Sequence, residues 1–144
     1  MTLKQLENLV KTKNLKREPP DQKEFDNLLN SGRNRLTDAQ KHALSFESRF
    51  YLAYNASHAF SLAALRWHGY RPDKRYMVFQ CLPHTLGLGP EVCRVLRKCH
   101  EQRNIAEYQG NLEIEEQLLI DLIQAANTLS ECVSKLGLVP EIKK

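Results

Sequence analysis

The sequence predicts an all-α protein: an antiparallel, up-and-down bundle of four or five helices. Three observations carry this expectation. Apolar residues recur at alternating steps of three and four along four long stretches, the period of one helix face. No stretch alternates apolar and polar residues over the length of a strand. The connections between the periodic stretches are short, which favours antiparallel neighbours. A chain of 144 residues, 42% of them hydrophobic, is enough for one ordinary core. The expected division is an N-terminal arm or short helix over residues 1–19, a bundle over 20–137 and a tail over 138–144.

The first segment, Thr2 to about Lys16, places Leu3, Leu6 and Val10 on one side and lysines elsewhere, which suits a docking arm. Pro19-Pro20 breaks the chain, and Asp21 opens a helix expected to reach Ala43. Its stripe is Phe25, Leu29, Gly32, Leu36 and Ala39; Gly32 points to a close helix crossing or a bend. Ser45 is placed to cap a second long helix, Phe46 to His68. That helix carries two apolar stripes, one through Phe50, Ala53 and Phe60 and another through Tyr51, Tyr54, His58 and Leu65. A helix apolar on two sides sits at the centre of a bundle. On it, Tyr51 and Tyr54 are read as packing residues and His58 as a hydrogen-bonded core or interface histidine.

On either side of Gly69, the residues Arg66, Arg71, Lys74 and Arg75 concentrate positive charge around a polar turn, either as a solvated loop or for phosphate contact through Arg71 and Arg75. A short helix from Lys74 to Leu86 should be kinked or cut by Pro83. Gly87 and Gly89 are turn residues, since no strand precedes them and the phosphate-loop spacing is missing. Pro90 then starts a helix that Gly110 ends, and a last helix runs from about Leu112 to Leu136.

Several functions are excluded on composition. No run approaches the ~20 apolar residues of a membrane span. The N-terminal stretch has no apolar core of a secretory signal, so reduced thiols in a cytoplasm are expected for Cys81, Cys93, Cys99 and Cys132. Zinc-ligand spacings and paired Glu-x-x-His motifs are missing, so no metal and no other cofactor is expected. A net charge of +4 permits nucleic-acid contact without arguing for it.

The helix from Pro90 to Gly110 holds the anomaly. Its core-facing line reads Val92, Leu96, Cys99, Arg103 and Ala106, so a guanidinium stands where an apolar side chain is due. A neighbouring line carries His100, Asn104 and Tyr108. A buried cation is costly unless paired or wet, so Arg103 requires a specific partner or a cleft.

The second long helix with its exit, YLAYNASHAFSLAALRWHGYRP, followed by Arg103-Asn104 near the end of the next long helix, resembles the HEPN domain superfamily over roughly residues 25–133. The resemblance implies an HEPN-like bundle, two-fold pairing into a homodimer with the motif arginines facing one cleft, and a toxin–antitoxin or defence setting. It also implies RNA, a nucleotide or a nucleotidyltransferase partner as what is engaged. The family's nuclease motif is an arginine followed after four to six residues by a histidine. Arg103 and Asn104 match its start, but Tyr108 stands at the histidine's place and Gly110 where a further tyrosine is often kept. A tyrosine with a pKa of about 10 is a poor base at neutral pH. The first expectation is therefore binding without turnover, with Arg103 on a phosphate, Asn104 bonding Arg103 or the ligand, and Tyr108 stacking or donating. A metal-independent ribonuclease, with His100 as proton carrier beside Arg103 and Asn104, is the alternative, and a purely structural interaction module is the third.

Overall fold

The computed structural model describes residues 2–140, so residues 141–144 of the expected tail lie outside the described residues. The chain runs α1 (Thr2–Lys11), β1 (Leu15–Arg17), α2 (Gln22–Ala39), α3 (Phe46–Trp67), β2 (Tyr70–Pro72), α4 (Met77–Gln80), α5 (Leu82–Thr85), α6 (Pro90–Gln109) and α7 (Glu116–Ser134). It is mostly helical, with one small antiparallel sheet of β1 and β2. Among the described residues, no helix is long and apolar enough to cross a membrane.

Local chemistry sets the boundaries. The Asp21 carboxylate accepts from the Glu24 amide at 2.9 Å and starts α2. The Ser45 hydroxyl accepts from the Ser48 amide at 3.1 Å and starts α3. Helix α2 stops at Ala39, short of the expected Ala43, because Arg49 Nε donates to the Ala39 carbonyl at 2.8 Å and satisfies it outside the helix. The expected Lys74–Leu86 helix is cut into α4 and α5 at Cys81, with Pro83 in the first turn of α5. Gly110 ends α6 in the left-handed region, at φ 77°.

Helix α3 lies at the centre, against α2, α6 and α7. Both of its stripes reach the core, with Phe50, Tyr54, Phe60 and Leu65 fully inside and Tyr51 and His58 partly buried. Gly32 marks the α2–α3 crossing: a Cβ there would stand 2.5 Å from the Phe60 ring, so only a bare Cα lets the ring in. The first segment joins this core through Leu6 and Leu15.

The sheet is the element that periodicity does not reveal. Each strand has three residues, too few for alternation to register, and Leu15 pairs with Pro72 and Arg17 with Tyr70. What holds it is charge. Arg66, at the end of α3, is 2% exposed although the sequence places it with a solvated basic turn. Its Nε donates to Glu24 at 2.7 Å, and its terminal nitrogens donate to the carbonyls of Glu18 (2.9 Å), Pro19 (2.6 Å) and Tyr70 (3.2 Å). Arg71, half-buried beside it, donates to Glu18 at 2.5 Å and to Glu24 at 2.8 Å. Glu7 adds a third tie by receiving Arg17 and the Tyr70 hydroxyl.

Removing Arg66 leaves three main-chain carbonyls without their buried donor and takes from Glu24 one of its two arginines. We expect Arg66→Ala to cost about 3–5 kcal/mol of unfolding free energy in urea titrations. Arg71→Ala should cost about 1 kcal/mol, because water can replace its bonds. Equal losses for the two variants would refute the buried network as the anchor.

Candidate functional site

The stripe of α3 that carries Tyr54 and His58 faces the two neighbouring lines of α6 that carry Arg103 and His100. The turn after β2 brings Arg75 and Tyr76 onto the same ground. Arg103 has the partners its position demands. It is one-fifth exposed and pairs with Glu107, one turn on, at 3.0 Å. Its guanidinium sits over the Tyr54 ring, 5.3 Å from the centroid. Arg75 stands 5.7 Å from the same centroid and donates to Asn55 Oδ1 at 2.9 Å. Two cations therefore converge on one ring. Among the described residues, Glu107 is the only carboxylate at ion-pair distance from either.

A chain of hydrogen bonds leads inward from Arg103. A guanidinium only donates, so Asn104 presents Oδ1 to it, at a long 3.4 Å. The Asn104 amide nitrogen then faces His100 Nε2 at 3.2 Å and donates to it. That assignment leaves the His100 proton on Nδ1, which is 2.9 Å from the Tyr54 hydroxyl oxygen. The His100 ring also lies against Tyr76, with centroids 4.5 Å apart. Burial, then Arg103 and Arg75, hold the His100 pKa below its ordinary value, so the imidazole is neutral at pH 7. Burial raises the Tyr54 pKa against the pull of the two arginines, and the phenol stays protonated.

His58 lies behind this face, its ring edge-on to Phe79 at 6.1 Å. It is not hydrogen-bonded as the sequence suggests, because its Nε2 is buried without a partner. Burial first, then Arg75 and Arg103, lower its pKa to about 4.

Of the residues singled out by sequence, Arg103, Asn104, His100 and Arg75 come together. Tyr108 and Arg71 do not join them. Tyr108 is 94% exposed. Eight helical steps from His100 turn it by about 80°, off the packed face. Arg71 is spent on Glu18 and Glu24 at the sheet. Tyr54, Tyr76 and Asn55 complete the cluster. Tyr54 was legible as part of the second α3 stripe, but that stripe alone could not distinguish a ring that packs from one that also seats cations. Among the described residues, no three His, Cys, Asp or Glu side chains gather as a metal ion would need. The chain matches no protein-family model, no curated protein and no solved structure.

The state of His58 makes stability depend on pH. Unfolded, its imidazole takes up a proton near pH 6.5; folded, only near pH 4. The unfolded chain is thus favoured as pH falls through this window, by up to about 3 kcal/mol, with no further change below it. Glu7 and Glu18 are held low by their arginines, and in Glu24 the same ion pairs outweigh burial. Their contributions are lost only below the ordinary carboxylate value of 4.5. We therefore expect stability to drop between pH 6.5 and 5, and His58→Leu to remove most of that drop, the remainder belonging to His100, whose pKa burial also lowers. A His58 imidazole assigned by NMR and titrating near pH 6.5 in the folded protein would contradict this.

Proposed function

We propose that this is an HEPN-like binding protein that receives a phosphate-bearing ligand, RNA or a nucleotide, on the cluster of Arg75, Arg103, Asn104 and His100 over Tyr54. One observation carries the reading: two guanidiniums share a ring with one carboxylate between them, which leaves a positive charge held in place for an anion. A structural network would pair both, as Arg66 and Arg71 are paired with Glu18 and Glu24. Glu107 is half-exposed and competes with the ligand for Arg103.

Turnover is the second reading. It is favoured by a neutral histidine one turn from an arginine, the pair that metal-independent RNA cleavage uses. Against it, the Asn104 amide already occupies the lone pair that His100 Nε2 would need as a base. Binding without cleavage is therefore the conclusion.

These readings separate in one set of measurements. Fluorescently labelled single-stranded RNA should bind to the full chain, weaken at least tenfold in Arg103→Ala and in Arg75→Ala, and tighten several-fold in Glu107→Gln, with no cleavage in chelator. Loss of affinity in Glu107→Gln would mark the Arg103–Glu107 pair as structural. Cleavage that disappears in His100→Ala would reinstate the ribonuclease.

The resemblance also leads us to expect a homodimer, the site opening on a cleft between copies, and a toxin–antitoxin or defence setting with a nucleotidyltransferase as a possible partner. Support for pairing comes from the end of α6, where Ile105 and Tyr108, one turn apart, are 45% and 94% exposed. Tyr108 would then serve pairing rather than the ligand. Sedimentation should show a dimer for the parent and a monomer for Ile105→Asp with Tyr108→Asp; a monomeric parent would rule the pairing out.

A further inference from the structure

A cleft of about 440 Å³ lies between α6 and α7. None of the residues lining it belongs to the Tyr54 cluster, so it stands apart from the anion site proposed above. Its α6 wall carries Arg94 and Lys98, one turn apart. Its other wall carries Glu113 and Glu115, on the approach to α7, and Asp121 in the second turn of that helix. Val95, Ile114 and Leu118 lie between the walls as an apolar floor. Charges of both signs thus line one space, yet among the described residues none of these carboxylates is at ion-pair distance from either cation. At the sheet, by contrast, Glu18 and Glu24 meet Arg66 and Arg71 at 3.5 Å or less. Asp121 is half-buried; its Oδ1 accepts from Gln117 at 2.9 Å, and among the described residues its Oδ2 has no partner. Burial, and after it the Asp121 charge, raise the pKa of the Cys99 thiol, which places that charge against α6 rather than in open water.

We infer that this cleft binds a free α-amino acid with an aliphatic side chain. Its carboxylate meets Lys98 and Arg94, its ammonium meets Asp121 and Glu113, and its side chain lies on Val95 and Leu118. A simple anion would be repelled by the three carboxylates, and a simple cation by the two basic groups. A metal ion needs its carboxylates gathered, and among the described residues no such group gathers. A molecule with both charges on one carbon satisfies the two walls at once, through charge-assisted hydrogen bonds that are stronger than neutral ones. An aliphatic group beside those charges covers the floor and removes apolar surface from water. A volume of 440 Å³ falls at the small end of ligand sites, which run from roughly 300 to 1,000 Å³.

Calorimetric titration of the full chain with L-leucine, isoamylamine, isocaproate and glycine tests this without any variant. Isoamylamine lacks the carboxylate of leucine, isocaproate lacks its ammonium, and glycine lacks its side chain. Leucine should bind at least about tenfold more tightly than isoamylamine or isocaproate, and several-fold more tightly than glycine. In Lys98→Ala, leucine should lose most of its advantage over isoamylamine; in Asp121→Asn, most of its advantage over isocaproate. Both variants should keep the urea midpoint of the parent, which separates lost binding from lost folding. Leucine no tighter than either singly charged analogue, or an advantage that survives both variants, overturns the zwitterion site. Glycine as tight as leucine overturns the aliphatic side chain, and no heat from any of the four overturns ligand binding in this cleft.

Discussion

The guanidinium of Arg66 is the fixed point of this chain. It arrives at the end of a buried helix and gathers three carbonyls and a carboxylate from segments far apart in sequence. Burying such a group costs several kcal/mol unless its donors are met. Here three of its nitrogens are, and the cost is offset only when Glu18, Pro19, Glu24 and Tyr70 all hold their places. That demand makes the geometry specific. It draws the strand after α3 against the segment before α2 and closes the small sheet. It also fixes where the chain goes next. The turn with Arg75 and Tyr76 begins three residues after β2, so anchoring Tyr70–Pro72 determines how these two side chains meet Tyr54 and His100.

Two pairs of arginines lie in this molecule, and their surroundings differ in kind. Arg66 and Arg71 share Glu18 and Glu24, two charges against two, with backbone carbonyls completing the shell. Arg103 has one exposed glutamate and Arg75 one amide oxygen, and the two share the face of a tyrosine. A cation over an aromatic ring gains roughly 0.5–1 kcal/mol at an exposed site, which positions a guanidinium without neutralising it. The first pair is built to be closed and the second is left electrically open. The two histidines beside the open pair are held neutral by burial first and by the arginines' field second, so they add no charge of their own.

The sequence made the long helices and their ends legible because those depend on nearest neighbours: a cap at Asp21 or Ser45, a left-handed residue at Gly110, a period of 3.6 between. It also exposed the anomaly at Arg103, since one cation on an apolar line must be answered by something. The answer itself was not legible. Glu107 could be guessed from i,i+4 spacing, but Tyr54 lies 49 positions away on another helix. Arg66 was misread for the same reason. Counted along the chain it joins Arg71 and Arg75 in a basic turn, whereas in space its partners are main-chain carbonyls 47 and 48 residues earlier, which no side-chain pattern encodes. Tyr108 leaves the packed face because a line of four-residue steps drifts round the helix, although Ala106 beside it is still buried.

Whether the cluster holds a ligand or transforms it turns on the order of donors along the chain from Arg103 to Tyr54. Because a guanidinium cannot accept, it sets the face that Asn104 turns outward; because an amide nitrogen cannot accept, it claims the free lone pair of His100. A base must offer that lone pair to a substrate, so cleavage would require Asn104 to turn away and abandon two hydrogen bonds at once. A binding site asks for nothing of the kind. A phosphate drawn to Arg103 would displace only the Glu107 carboxylate, which bulk water can take up, and would leave the inner network as it is. The proposed binding thus asks the arrangement for less than cleavage would.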